Sequence, residues 1–470
     1  MSIKIILSNK VFRNFSYLTI GSILGQLLSL YSIYYITNLI TPEFYGIYAF
    51  LISQGILLFR VSSFGNNNIV IRKIARDKDS AKNVAFSTLV FRILFILISS
   101  LLYILYNHYF GQLDRLQLIL IVLYAVANSL CYLIEWVFTG LQNMKTIAVV
   151  NFATNLIWLI LVLFFINENS EPNEIFVFYV LSFFIKALFY IIMLYVKKIF
   201  LGQHIRDVRS TGLNLNKESW PYFAMLLLLI PISNLDNNFL DLNSTEVELG
   251  YYNLAKRLIG PFSLLNTMLI TAIFPNISSM WVDDRNKFSK VLSNGFPLFI
   301  LLFGSICFGF CLFCNEVVDL LFKKEYKPAV IVCQIQIWYF LFFSIDFLMG
   351  TFLGASNKEK LILKFAIIYS IICTPSMFLG SYYGATGISL ALLISFMLSM
   401  LFSWFMFKNV INLKMRTSQY TFFVIFILMA LSYLITQIYV LNFLYKLLVL
   451  VIVLFCISAY VIKQFKKLSF

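Results

Sequence analysis

The stretch 175–196, IFVFYVLSFFIKALFYIIMLYV, carries a single charge, Lys186, between Glu174 and Lys197. As an α-helix at about 1.5 Å per residue it is about 33 Å long, enough to cross a hydrocarbon core of about 30 Å. Transmembrane β-strands are shorter and alternate apolar with polar residues. This run does not alternate, so it reads as a spanning helix.

The same reading extends along the chain. Candidate spans fall near 15–36, 44–64, 85–107, 116–138, 146–166, 175–196, 218–238, 250–274, 292–313, 329–353, 361–382, 385–407, 420–440 and 443–462. They use most of the 470 residues, and 61% of the chain is hydrophobic. Only 12% is charged, against about 25% in a soluble domain. A water-facing surface cannot be built from so few charges. The longest connection on the cytoplasmic side, 197–217, is too short to fold on its own. Met1–Lys10 shows no cleavage site of the A-x-A kind, so the first apolar run is expected to remain as a helix.

The net charge of +15 would suggest nucleic acid in a soluble protein. Here it is a topology signal. The two tails and the loops after even-numbered spans hold 26 Lys and Arg, whereas the opposite side holds 5: Arg115, Lys323, Lys324, Lys327 and Lys446. By the positive-inside rule both termini are cytoplasmic.

Short matches suggest a duplication. Span 4 ends in Phe138-Thr139-Gly140-Leu141-Gln142-Asn143 and span 10 in Phe352-Leu353-Gly354-Ala355-Ser356-Asn357, both F-x-G-x-x-N. Span 2 opens on Gly46-Ile47-Tyr48 and span 8 on Gly250-Tyr251-Tyr252; the same spans close on Phe64-Gly65-Asn66 and Phe274-Pro275-Asn276. The offsets are 214, 204 and 210 residues. An even number of helices per half makes the repeats parallel. The expected organisation is an all-α integral membrane protein of about fourteen transmembrane helices. Two pseudo-symmetric six-helix halves, 1–200 and 201–412, would be followed by two extra helices in 413–470. Two such halves predict a central cavity between helices 1–6 and 7–12.

Charges inside spans are costly, about 3 kcal/mol at the bilayer centre on insertion scales, and mark function. The set is Arg60, Arg92, Lys186, Lys256 and Arg257, with Glu135, Asp236 and Asp346. Lys186 sits about 16 Å from either face, too deep for its stem to snorkel, so it should meet a wet cavity or an anion. Arg92 is expected to snorkel to the cytoplasmic interface. Asp236 is placed to pair with Lys256 or Arg257 across a short outer loop. Glu135 and Asp346 occupy related places in the two halves and suit counter-ions, or proton or sodium sites. Five cations against three anions favour an anionic substrate such as a diphosphate, which Arg holds bidentately and Lys as a point charge. Pro231, Pro261, Pro297 and Pro375 fall inside spans of the second half only, and Pro231 and Pro261 are candidate hinges.

No P-loop or H-E-x-x-H motif is present, and the two histidines, His108 and His204, stand alone. Cys307, Cys311 and Cys314 share one helix and read as packing residues rather than metal ligands. Outer loops this short do not suit a polymerase or ligase acting on lipid-linked sugars. No metal, cofactor or catalytic residue is implied.

Several stretches resemble the oligosaccharide flippase (Wzx) family of the multidrug/oligosaccharidyl-lipid/polysaccharide exporter superfamily. They are Asn14-Phe15-Ser16 through Gly25-Gln26, Thr41-Pro42-Glu43-Phe44-Tyr45-Gly46, and Gly250-Tyr251-Tyr252-Asn253-Leu254-Ala255-Lys256-Arg257 on to Ala272-Ile273-Phe274-Pro275-Asn276-Ile277. The resemblance covers the whole chain in span number and plan. It implies a transporter carrying an undecaprenyl-diphosphate-linked oligosaccharide repeat unit across the bacterial inner membrane for O-antigen or capsule. It implies cavity cations that hold the diphosphate; Lys256 matches through its motif, while Arg60, Lys186 and Arg257 rest on the charge argument. Coupling to H+ or Na+ would fall to Glu135, Asp236 or Asp346. Polysaccharide polymerase and chain-length proteins would be partners, alongside membrane lipids. A lipid II flippase shares this plan with another head group. A drug antiporter of the superfamily shares the fold but conflicts with the cationic balance.

Overall fold

A computed structural model describes residues 10–111, 113–199, 207–356, 358–411, 416–438 and 442–467. Within them every regular element is helical. Hydrocarbon leaves no other open-chain solution, because every backbone N–H and C=O must be satisfied within its own segment.

The chain divides by packing into two compact units, Met1–Asp241 and Leu242–Phe470. The first contains α1 (Lys10–Leu39), α2 (Pro42–Ser62), α3 (Asn67–Arg76), α4 (Ala81–Phe110), α5 (Arg115–Gly140), α6 (Met144–Phe165), α7 (Pro172–Val196) and nearly all of α8 (Val208–Asn243). The second contains α9 (Glu246–Asp283), α10 (Arg285–Leu321), α11 (Ala329–Ala355), α12 (Glu359–Ser381), α13 (Gly384–Ile411), α14 (Arg416–Tyr433) and α15 (Phe443–Lys467). Eleven helices among the described residues are long and apolar enough to cross a membrane, with shorter apolar segments at Thr421–Gln437 and Phe443–Ser458. The contact boundary follows α8, whereas the sequence places the start of the second repeat near 201.

Several helix pairings recur in the two units, although α1 on α6, the most extensive in the first, is not among them. In the first, α2 packs on α4 and α5, α4 on α5, α5 on α7, and α6 on α7. In the second, α9 packs on α10 and α11, α10 on α11, α11 on α13, and α12 on α13. A six-helix repeat maps the first set onto the second pair by pair. Both F-x-G-x-x-N segments lie at a helix end. Asn143 N–H bonds back to the Phe138 carbonyl at 2.8 Å, and one position beyond the second segment Lys358 N–H bonds to the Leu353 carbonyl at 2.9 Å, Asn357 itself lying outside the described residues. Gly140 is required by closeness, since a Cβ there would stand 2.7 Å from the Ile74 Cβ.

Short α3 shows why an amphipathic stretch follows α2. Ile69, Val70 and Ile74 are buried against Leu133, Trp136 and Val137 of α5, while Arg72 and Lys73 face away. Their side chains pair with Glu218 of α8 at 2.8 and 2.9 Å. Further polar contacts follow along α8. Thr211 accepts from Asn83 at 3.2 Å, Asn216 from Asn66 at 3.2 Å, Asn234 from Arg60 at 2.7 Å and Asn238 from Gln54 at 2.6 Å. α8 is therefore held to the first unit by polar rungs along its length.

The prolines do not interrupt their elements: α8 and α9 remain helical across Pro231 and Pro261. The Pro231 side chain lies outside the described residues.

In the second unit, α14 and α15 pack on α10. Lys446, counted with the outer loops although it falls within the last candidate span, 443–462, stands in the first turn of α15 and is buried. Its ammonium meets Glu316 of α10 at 2.7 Å. Gln437 donates to Gln334 at 2.8 Å, and Gln334 donates to the Cys311 carbonyl at 3.2 Å. Breaking a fully buried ion pair costs about 3–5 kcal/mol. Glu316 keeps 32% of its side chain exposed, so Lys446→Ala should cost less. The unfolding midpoint of the purified variant should fall, and Lys446→Met with Glu316→Gln should recover most of the loss.

Candidate functional site

Four of the eight intramembrane charges come together in the first unit. α7 brings Lys186 from the middle of its apolar run, and α5 brings Glu135. The Lys186 ammonium lies 3.0 Å from Glu135 Oε1, and Tyr190, one turn further along α7, donates its hydroxyl to the same oxygen at 2.7 Å. The ammonium also lies over three rings, Phe183 at 5.5 Å and Tyr132 and Tyr190 at 5.8 Å. A lysine this deep is thus neutralised by one carboxylate and surrounded by π faces, each able to contribute about 0.5–2 kcal/mol to a cation.

Arg60 of α2 is the second cation. It donates to Asn234 at 2.7 Å, and its charged and titratable neighbours are Asp236 and Tyr132. Asp236 is buried. Within the first unit it therefore acts on Arg60. Tyr132 links the two pairs, since Glu135, Lys186 and Arg60 all act on it. Its ring stacks on Phe59 at 4.8 Å and is 38% exposed. The arrangement is Lys186 paired with Glu135, Arg60 bonded to Asn234 with Asp236 nearby, and Tyr132 between them.

Arg92 departs from expectation. It does not snorkel: it is 2% exposed. Its guanidinium lies 4.3 Å from the Trp136 ring and 5.7 Å from Phe59. It donates to the Ser129 carbonyl at 3.0 Å, while Nε and Nη2 have no hydrogen-bond acceptor. The reason is local. α4 packs on α5 with Trp136 directly opposite, so stacking replaces the route to the interface.

In the second unit Lys256 is exposed, with its ammonium 5.1 Å from the Tyr252 ring, and Arg257 is half-buried. Asp346 is half-buried on α11, and among the described residues no ion pair reaches it. The second unit also contains a feature the sequence reading did not find, an apolar cavity of about 940 Å³ between α9, α10, α11 and α15. Leu269, Gly295, Phe299, Leu348 and Leu454 are among its walls. No local motif encodes it, because apolar residues facing a void and facing a neighbour read alike. Tyr190, Asn234 and Asn238 were also missed. The last two carried a signal: the polar run Ser233-Asn234-Leu235-Asp236-Asn237-Asn238 interrupts an apolar helix.

Arg92 yields a test of what is structural here. Replacing a buried, incompletely satisfied cation by an apolar residue of similar volume is often neutral or stabilising. Arg92→Leu should unfold within about 1 kcal/mol of the parent, whereas Arg92→Ala, which leaves a void beside Trp136, should lose about 2–4 kcal/mol. Thermal unfolding of the two purified variants measures both.

Comparison with known proteins agrees with this architecture. Residues 11–281 match the family described as "Polysaccharide biosynthesis protein". The probable low-salt glycan biosynthesis flippase Agl15 of Haloferax volcanii is 23% identical over 180 residues, 37% of this chain and 38% of that protein. The match thus spans well under half of that relative. Among solved structures, the lipid II flippase MurJ in an inward closed conformation superposes with a TM-score of 0.72 at 14% identity, covering 95% of this chain and 99% of MurJ. An inward-facing multidrug resistance MATE family transporter of the MOP superfamily superposes with a TM-score of 0.65 at 14% identity, covering 83% and 94%. These likenesses are of fold. The family match covers more than half of the sequence, and the chain is a multi-pass α-helical membrane protein belonging to the polysaccharide biosynthesis protein family.

Proposed function

We propose that this protein is a non-enzymatic flippase for a lipid-linked glycan, moving an undecaprenyl-diphosphate-linked oligosaccharide repeat unit from the cytoplasmic to the outer leaflet of the bacterial inner membrane. The product would feed O-antigen or capsule assembly, with polymerase and chain-length proteins downstream. The family match carries the reading, and the glycan flippase relative supports it. Physically, the problem is to take a diphosphate and its sugars through hydrocarbon while the prenyl tail stays in it. Intramembrane cations answer the first need: Arg60, Lys186, Lys256 and Arg257 suit a diphosphate. The exposed Tyr132 beside Lys186 offers a face for a sugar. The halves would rock around the head group, with Pro231 and Pro261 as hinges. Glu135, Asp236 and Asp346 are the titratable candidates for proton or sodium coupling.

The apolar cavity answers the second need. By the topology of the basic loops it lies toward the cytoplasmic leaflet, where the substrate would enter with its tail in lipid. A Cβ added at Gly295 would meet nothing within 4 Å, so a large side chain can start into the cavity from there without a clash at its base. Gly295→Trp should leave folded protein in the membrane at parental levels and cut transport at least tenfold. Quantitative membrane fractionation beside surface-polysaccharide labelling reads both.

The lipid II reading is favoured by one observation, the superposition on MurJ over nearly the whole chain. Complementation separates the two. The protein should restore surface polysaccharide to a flippase-deficient strain with a matching repeat unit and should not rescue a strain depleted of its lipid II flippase. The reverse result would overturn the surface-polysaccharide reading.

A further inference from the structure

Lys186 is not open to a substrate phosphate as it stands, because a carboxylate of the same chain already occupies the position an anion would take. Glu135 Oε1 is 3.0 Å from the ammonium and is held there by the Tyr190 hydroxyl at 2.7 Å. The site is closed but not sealed. The side chains of Lys186 and Glu135 keep 11% and 14% of their surface exposed, and the neighbouring Tyr132 is exposed. Arg92, sealed beneath Trp136, has no such access. Lys186, paired with Glu135, also has no spare charge. A diphosphate diester carries about two negative charges, and adding it beside this pair in a low-dielectric medium is unfavourable.

We propose that Glu135 is an internal competitor for the substrate's diphosphate, and that diphosphate and a proton bind to this site together. A proton taken up by Glu135 leaves its carboxyl neutral and releases the Lys186 charge to the phosphate oxygens. When the phosphate leaves, the proton leaves and the carboxylate returns to the lysine. By linkage the two ligands favour each other. The proposal rests on the lipid-diphosphate reading above and assigns its regulation to one pair.

The charged and titratable surroundings are accounted for element by element. α5 carries Cys131 and Tyr132 beside Glu135, and α7 carries Tyr179 and Tyr190. α2 brings Arg60, with Asp236 nearby. α4 brings Arg92, 5.7 Å from the Phe59 ring that stacks on Tyr132. α6 carries only Lys145, at its first turn over the Tyr17 ring. α3 directs Arg72 and Lys73 to Glu218. Glu135 is the carboxylate in contact with Lys186.

The test is equilibrium binding of a farnesyl-diphosphate-linked monosaccharide, a diester that does not itself titrate in this range, to the full-length protein in nanodiscs, between pH 6 and pH 8. The parent should bind more tightly as the pH falls. Glu135→Gln should bind at least tenfold more tightly than the parent at pH 8 and lose most of that pH dependence. Lys186→Met should bind at least tenfold more weakly than the parent. Tyr190→Phe, which removes the hydroxyl but keeps the carboxylate, should tighten binding a few-fold and serves if Glu135→Gln fails to fold. If the parent binds and Glu135→Gln or Tyr190→Phe binds no more tightly, the pair is structural and the proposal falls while the flippase reading stands. If the parent binds no diphosphate at any pH and fails in complementation, both fall.

Discussion

Hydrocarbon supplies neither water nor counter-ions, so each charge placed in it must find compensation from the chain. Much of the first unit follows from this. Lys186 in the middle of α7 requires Glu135, which fixes the rotation of α5 against α7. Tyr190 lies beneath the same carboxylate, so α7 contributes both the cation and the hydroxyl that steadies its anion. Arg60 faces Asn234 and Asp236, which sets which side of α8 meets α2. Apolar contacts among membrane helices are poor at choosing a register, since lipid competes equally for them. Polar rungs are not exchangeable with lipid and therefore decide it.

The fold was largely readable because the membrane reduces structure to length and apolarity, which are local properties. The run around Lys186 and the alternation of basic loops each needed only a window of sequence. The candidate site was readable one residue at a time but not as a set. Glu135, Lys186, Arg60 and Asp236 each stood out as a charge in an apolar span. Their pairing depended on helix rotation, which uniformly apolar spans do not encode: the apolar residues of α7 look alike on every side. Asp236 was matched to α9 because α9 follows it in the chain, and no local signal shows that within its own unit it also acts on Arg60. Arg92 shows the same limit. Its depth was legible, but the ring that holds it, Trp136, belongs to another helix.

The polar rungs along α8 bear on how a transporter can move. An interface of interlocked apolar side chains resists sliding, whereas hydrogen bonds between asparagines, glutamines and a carboxylate can be exchanged for bonds to water or a polar ligand at little net cost. Asn234, Asn238 and Glu218 each hold a contact of this exchangeable kind. Arg92 beneath Trp136 is of the opposite kind, fixed by stacking and closed to solvent.

The apolar cavity of the second unit has a consequence for selectivity. α15 is synthesised after the other three walls, so the space is bordered by lipid until that helix docks, and an acyl chain would be its first occupant. On the function proposed above, a prenyl tail entering later would exchange one hydrocarbon for another and remove no apolar surface from water. The usual driving force for filling a greasy pocket is therefore missing. Discrimination there must come from shape, such as the methyl branches of an isoprenoid against Phe299 and the open floor at Gly295. On that proposal, tightness of binding would come from the head group.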